Sequence, residues 1–378
     1  MLRAMTIENF KCFERLELAD LGQFNLLTGR NNVGKSSLLE AMFLTVSQFE
    51  KDSLLILETM RHLSLSNRYF KYFFHNFQFE NTIKLGMSFS ENPHEPLMNY
   101  SLECSLLNKD DLLAAYGHRN LDENVRKNFL SIFNLSNSLL VGMKTKTLYP
   151  DNKIDYLLSW ITKNERTDSL YLGQLGYFED QEPQQRPVNI KLATLGSGFL
   201  EAASENSVNL ENLLITPSIK KKFLNVLSSF TNIEIKDCQF TNTMGLMLAI
   251  ESYGDEMVPF KVFGQGTLCF LNLVVLIYEC ENGILLVDEI DDGLHYSSMV
   301  KVWQHAMKLA KEHNVQLFAT THSMECVRAF SEVANQLAPT EARLINLHKF
   351  PDSPYHEADI HNTEDLAYLL KMGMELRQ

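Results

Sequence analysis

Four short stretches of this sequence carry residues whose types and spacing could do chemistry. The first is Gly29-x-x-x-x-Gly34-Lys35-Ser36, within TGRNNVGKSS. Its glycines let the backbone curl until the N–H groups point at phosphate oxygens. A helix starting at Lys35 would add its positive dipole end. Lys35 is then expected to reach the β- and γ-phosphates of a nucleoside triphosphate, and the Ser36 hydroxyl to hold Mg²⁺. Asn31, Asn32 and Ser37 complete the expected binding loop.

The second stretch is ILLVDEIDDGLH, residues 284–295. A buried strand ending in two acids would deliver them to the carboxyl edge of a sheet, where open α/β folds bind ligands. Asp288 would hold Mg²⁺ through water, and Glu289 would orient and deprotonate an attacking water. The third is FATTHS, residues 318–323, an apolar strand that ends in hydroxyl residues and His322. Next to the acidic strand, His322 could reach a γ-phosphate. The fourth is VFGQGTL, residues 262–268, in which Gly264, Gln265 and Gly266 precede an apolar helix whose first N–H groups could bind phosphate. Each stretch also has a plainer reading: a chance glycine loop, an acidic strand end, a structural histidine and a simple turn. The first two together are much stronger than either alone, because each supplies what the other lacks.

The elements that must position these residues are legible in the hydropathy pattern. MTIENF and RLELADL alternate as strands, and FNLLTG reads as a third strand running into the glycine loop. SLLEAMFLTVSQF after Ser36 has helical periodicity, so the loop stands between a strand and a helix as the motif requires. Residues 52–77 read as helical and rich in aromatics, and NTIKLGMSFS and NYSLECSLL as strands separated by the turn NPHEP. Residues 110–172 read as mixed helix without strong strands, 178–189 as a loop, 207–230 as helix and 233–251 as a hairpin with a turn at YGDE. ILLVDE and VQLFATTHS read as buried parallel strands flanking a helix at 297–313. No internal repeat and no sustained heptad pattern is present.

Composition bounds the rest. The 378 residues are 45% hydrophobic and 21% charged, the profile of a globular protein with a large core. A net charge of −13 argues against non-specific coating of nucleic acid, though a local basic groove would still permit DNA binding. The lysine run IKKKF (219–223) reads as a solvated helix face. MLRAMTIENFKCF lacks the apolar core of a signal peptide, and the apolar run near Leu268–Tyr278 is too short to cross a bilayer. The six cysteines are scattered without a CxxC pair, which points to reduced thiols and a cytoplasmic setting with no membrane association.

Lys35 and Asp288 lie 253 residues apart, so a large insertion separates the two halves of the expected site. The order is glycine loop, insertion, glycine turn with helix, acidic strand, histidine strand. This order resembles the ATPase heads of the ABC superfamily, and in particular the RecF, SMC and OLD branch and its stand-alone AAA15/AAA21-type ATPases. The resemblance is carried by TIENFKCFERLEL, GRNNVGKSS, FGQGTL, LLVDEIDDGLH and ATTHS, roughly residues 1–50 and 260–325.

That resemblance implies an α/β P-loop NTPase with an ABC/SMC-like head: a mixed-sheet N-terminal lobe, a parallel-sheet core and a mainly helical insertion. The corresponding segments are 1–110, the insertion or arm at 111–235, 236–350, and a tail at 351–378. It implies ATP and Mg²⁺ as ligands and a homodimer or higher homo-oligomer that buries ATP between heads. Gly264, Gln265 and Gly266 would then act in trans, Lys11 of the opening motif would lie near the nucleotide, and Asp291–His295 would touch the other subunit. The family signature usually begins with serine, whereas Lys261, Val262 and Phe263 stand here; Gln78 is a candidate for the glutamine loop.

OLD-type nucleases carry a Toprim domain of roughly 100 residues after the ATPase, and only about 55 residues follow ATTHS here. The expectation is therefore an ATP-hydrolysing head that controls a separate effector protein, a nuclease or toxin, in anti-phage defence or DNA maintenance. Two rivals remain: a nucleotide-switched scaffold that hardly turns over, favoured by the altered signature, and the ATPase subunit of a membrane transporter, disfavoured by the large insertion.

Overall fold

The computed structural model describes residues 1–48, 53, 56–57, 72–78, 80–90, 97–106, 142–148, 154–161, 167–172, 188–194, 214–241, 245–254, 256–350, 353 and 355–376. The chain forms two compact units. The first comprises Met1–Gly22, Gly29–Ile190 and Asn346–Ile360; the second comprises Gln23–Thr28, Lys191–Ile345 and His361–Gln378.

The first unit is built on an antiparallel sheet. Strands β1 (Leu2–Phe10) and β2 (Phe13–Leu18) form the opening hairpin, and β4 (Ile83–Phe89) and β5 (Met98–Leu106) add to the other side of β1. Ile7 pairs with Leu16 on one side and Leu85 on the other, so the period-2 pattern of TIENF sends Met5 and Ile7 to one buried face. Between the hairpin and β4 in sequence lies helix α1 (Lys35–Ser47). It is apolar on nearly every side and buried along almost its whole length, as a helix without a polar face must be. The Tyr100 hydroxyl of β5 donates to the Thr45 carbonyl at 3.1 Å and fastens the helix to the sheet.

The same sheet continues through β6 (Gly142–Leu148), β7 (Ile154–Ile161) and β8 (Thr167–Leu172), in the order β2-β1-β4-β5-β6-β7-β8. Among the described residues these strands stand where mixed helix without strong strands was expected at 110–172; most of the expected insertion at 111–235 lies outside the described residues. Among the described residues, that region contributes these three strands, β9 (Asn189–Thr194) and a single helix, α2 (Pro217–Thr231). GMKTKTL alternates lysine with Met143, Thr145 and Thr147, but each strand is short and held by cross-strand partners such as Lys146–Glu103. The pairing of β6 with β5 is non-local, so no window of the sequence displays it, whereas β6–β7 and β7–β8 pair between strands adjacent in sequence. The expected turn at 92–96, and most of the stretches 52–71, 107–141 and 178–187, lie outside the described residues.

The second unit holds a parallel core. Strand β3 spans Phe24–Gly29, β13 Gly283–Asp288 and β14 Gln316–Thr320. They lie side by side in the order β3-β14-β13, with β15 (Ala342–His348) beside β3 and β9 beside β13. All residues of β3, β13 and β14 are buried, which explains their unbroken apolar composition. Helices α3 (Gln265–Glu279), α4 (Met299–Glu312) and α5 (Met324–Leu337) belong to the same hydrophobic core as these strands. Phe230 of α2 stacks on Phe270 of α3 at 3.8 Å, and Trp303 of α4 meets Phe330 of α5 edge-on at 4.9 Å. A small antiparallel sheet, β10 (Ile235–Thr241), β11 (Gly245–Ile250) and β12 (Met257–Pro259), accounts for the expected hairpin.

Candidate functional site

In the first unit the glycine loop takes the shape its residues permit. Gly29 has φ 136°, and a Cβ there would stand 2.2 Å from the Leu347 carbonyl oxygen. Gly34 has φ 105°, and a Cβ there would stand 2.5 Å from the Cys12 sulfur. Both positions need glycine for conformation and for space. Asn32 is also left-handed, at φ 62°, which asparagine tolerates better than most residues. Lys35 is 5% exposed, and its ammonium donates to the carbonyls of Gly29 at 2.8 Å and Arg30 at 3.0 Å. The cation is thus folded into the curl of the loop. Helix α1 begins at Lys35, with Gly34 as its N-cap, no side-chain cap bond and no acid in its first turn. Ser36 and Ser37 are half-buried at this helix start, and the Ser37 hydroxyl is bonded to the Cys12 thiol.

Lys11 lies in the tight turn between β1 and β2, with φ 50°, and its N–H donates to the Phe73 carbonyl at 2.8 Å. Its ammonium pairs with Glu40 of α1, a carboxylate only 2% exposed, and lies 5.5 Å from the Phe73 ring centroid. Glu40 is a partner that sequence reasoning missed; its signal was an acid on an otherwise apolar helix, which needs a cation when buried. Gln78 is exposed, and its side-chain oxygen accepts from Asn81 at 3.1 Å.

In the second unit the acidic pair splits in two directions. Asp288 is 5% exposed at the end of β13. Glu289 follows in a left-handed conformation, φ 55°, with its side chain 56% exposed. The turn is held by Thr320 at the end of β14. Its hydroxyl donates to Asp288 Oδ1 at 2.7 Å and accepts from the Glu289 N–H at 2.8 Å. Two residues further on, His322 Nε2 stands 3.8 Å from Glu289 Oε1. The structure thus brings Asp288, Glu289 and His322 to one strand edge, and adds Thr320, which sequence reasoning left without a role. The signal was present in ATTHS: a hydroxyl level with the first acid once the two strands pair.

The glycine turn at 264–266 packs against the segment Asp291–His295. A Cβ on Gly266 would be 3.3 Å from the Gly293 carbonyl oxygen, and one on Gly293, at φ 71°, would be 2.9 Å from the Cys269 sulfur. Gly264 faces open space and caps α3 without a side-chain bond. Val262 and Tyr296, beside this turn and this segment, are 68% and 66% exposed. Two of the three lysines of IKKKF meet acids: Lys220 pairs with Asp237 at 2.6 Å and Lys222 with Glu312 at 2.9 Å.

The donor set suits Mg²⁺ and a polyphosphate. Ser36 in the first unit and Asp288 in the second are each a hard oxygen donor, and Mg²⁺ typically takes one or two protein oxygens and completes its shell with water and phosphate. Among the described residues no group of three or more His, Cys, Asp or Glu could hold a metal by itself. All six cysteines are free thiols, and among the described residues no helix is long and apolar enough to cross a membrane.

The family model of the AAA ATPase domain matches residues 1–171 and 151–327. An ATP/GTP phosphatase of Helicobacter pylori is 24% identical over 351 residues, covering 89% of this chain and 89% of that one. An uncharacterized protein of Methanocaldococcus jannaschii is 45% identical over 56 residues, 15% of this chain and 26% of that protein. Among solved structures, an Smc head bound to the C-terminal winged-helix domain of ScpA superposes with a TM-score of 0.48 at 12% identity, over 96% of this chain and 98% of that one. The Smc head of Thermotoga maritima gives 0.41 at 10% identity, over 96% and 99%.

Proposed function

Because the chain belongs to the AAA ATPase domain family, we propose that it binds and hydrolyses ATP, and that two copies close on the nucleotide to control a partner protein. The observation that carries this reading is the order of three parallel neighbours. Strand β3 runs into the glycine loop, β14 ends at Thr320, two residues before His322, and β13 ends at Asp288, with Glu289 next. The carboxyl edge of such a sheet is the ligand-binding edge.

In this reading the N–H groups of Gly29–Gly34, with Asn31 and Asn32, cradle the phosphates, and Lys35 balances the charge on the β- and γ-groups. Ser36 and Asp288 hold Mg²⁺, which when bound neutralises charge on the transferring phosphoryl group. Glu289 orients the attacking water and takes its proton. His322 lies beside Glu289 and meets the γ-phosphate side of the site. Lys11, whose ammonium pairs with the buried Glu40, lies near the nucleotide in this reading.

Gly264, Gln265 and Gly266 meet the nucleotide of the other copy. The open space at Gly264, the uncapped start of α3 and the exposed Val262 and Tyr296 support a surface that a second subunit covers. A separate nuclease or toxin as effector, DNA as a ligand, a cytoplasmic location and a role in anti-phage defence or DNA maintenance are carried by family resemblance alone. The rival reading, a switch that binds ATP with little turnover, draws on the missing signature serine.

Titration with a fluorescent ATP analogue tests the core of this reading. Lys35→Ala should weaken binding by about 100-fold or more, since a buried, charge-assisted partner of the phosphates is lost. Unchanged affinity would remove the phosphate-loop assignment. Brisk steady-state turnover by the wild type would exclude the passive switch.

A further inference from the structure

We propose that Thr320 is the positioning residue that sets Asp288 and Glu289 for chemistry, an inference that rests on reading this pair as the metal-and-base pair. Strand register places it: Val287 pairs with Ala319, so Asp288 and Thr320 leave the sheet level with each other. Thr320 is 1% exposed. Its hydroxyl donates to Asp288 Oδ1 at 2.7 Å and accepts from the Glu289 N–H at 2.8 Å, and its carbonyl accepts from the Ile290 N–H at 3.0 Å. One side chain and one carbonyl therefore hold three successive residues.

The chemistry of the hydroxyl is what this place requires. A hydroxyl donates and accepts at once, and only serine and threonine offer that in so small a volume. The bond to Asp288 is charge-assisted, which fixes the direction of a buried carboxylate. The bond from the Glu289 N–H holds a left-handed turn, φ 55°, that a residue with a long side chain seldom adopts. That turn separates the two acids: Asp288 stays buried, while Glu289 is turned out to stand 3.8 Å from His322. Without the hydroxyl, the carboxylate loses a charge-assisted bond that fixes it and the turn loses one of its anchors. Because Thr320 and His322 leave the same strand, the metal ligand, the base and the histidine share one rigid reference.

The experiment compares wild type, Thr320→Val and Thr320→Ser in two titrations: hydrolysis against ATP, and binding of a fluorescent ATP analogue against Mg²⁺. Valine should lower kcat by about 10–100-fold and raise the Mg²⁺ needed for half-maximal binding by about tenfold, as loss of an outer partner of a ligand does. Its KM for ATP should stay within about threefold of wild type, because the phosphate cradle is untouched. Serine should restore both properties, since it keeps the hydroxyl. Wild-type kcat and Mg²⁺ dependence in the valine variant would overturn the proposal. Equal impairment by serine and valine would overturn it too, since methyl packing would then matter more than the hydroxyl. Should valine not fold, Thr320→Ala makes the same comparison. Glu289→Gln separates the two readings: if it turns over like wild type while Thr320→Val is impaired in Mg²⁺ dependence, the base assignment fails and the positioning of Asp288 alone stands. If the wild type does not hydrolyse ATP, the Mg²⁺ titration decides alone.

Discussion

His322 Nε2 lies 3.8 Å from Glu289 Oε1, with the histidine 42% and the glutamate 56% exposed. At this exposure the contact contributes at most about 1 kcal/mol to folding, so changing either residue should cost little stability.

Glu289→Gln should therefore leave folding and ATP binding intact and lower turnover by about 100-fold or more, the usual contribution of a general base. With ATP bound and uncleaved, the variant should also accumulate as a dimer in light scattering. His322→Ala should lower turnover with little change in the unfolding midpoint. Wild-type turnover by Glu289→Gln would show that another group activates the water.

Gly29→Ala tests the shape of the loop. The added methyl would meet the Leu347 carbonyl oxygen at 2.2 Å, and φ 136° disfavours any side chain. The backbone penalty alone should be about 1–3 kcal/mol, read as a lower denaturation midpoint, and nucleotide binding should be lost with it. A fully stable variant with wild-type affinity would mean that the loop relaxes without cost.

Thiol labelling tests the surroundings of the loop. Cys104, Cys238, Cys269, Cys280 and Cys326 are buried, and burial pushes the Cys280 and Cys326 thiols up to about 12; only Cys12 is partly accessible. Burial also raises the Cys12 thiol, opposed by its bond to Ser37, so labelling should be slow and should speed up with pH. A thiol reagent on folded protein should modify Cys12 alone, and ATP with Mg²⁺ should slow it, because this sulfur touches the loop at Gly34. Rapid modification of several cysteines would contradict the packing described.

His356 gives a pH signature. Burial, with Lys349 and His75 beside it, pushes its imidazole down from 6.5 to about 4, and its ring lies edge-on to Phe13 at 5.1 Å. Between these values the unfolded chain binds a proton that the folded chain refuses, so this residue lowers stability as pH falls from 6.5 towards 4. His356→Gln should flatten the fall in urea midpoint between pH 7.5 and 5. An identical fall in both proteins would assign the acid sensitivity to other groups.

The sequence by itself determined everything that is local or repetitive. The curl of GRNNVGKSS follows from its glycines, the burial of ILLVD and QLFAT from unbroken apolar composition, and the opening hairpin from strict alternation in TIENF. Strand edges and chemistry could be read together there, because backbone conformation and residue type were dictated within a few positions. Tertiary structure alone decided what depends on partners far away in the chain. Strand β6 joins the sheet through β5, with Thr145 paired to Cys104, a partner that the local sequence of β6 does not reveal. Lys11 and Glu40 are 29 residues apart, and their pairing required the hairpin and α1 to meet. Thr320 shows the same limit most clearly. It is a small hydroxyl in an apolar run, and only the parallel register of β13 and β14 sets it level with Asp288, 32 residues away, where a hydrogen bond can form.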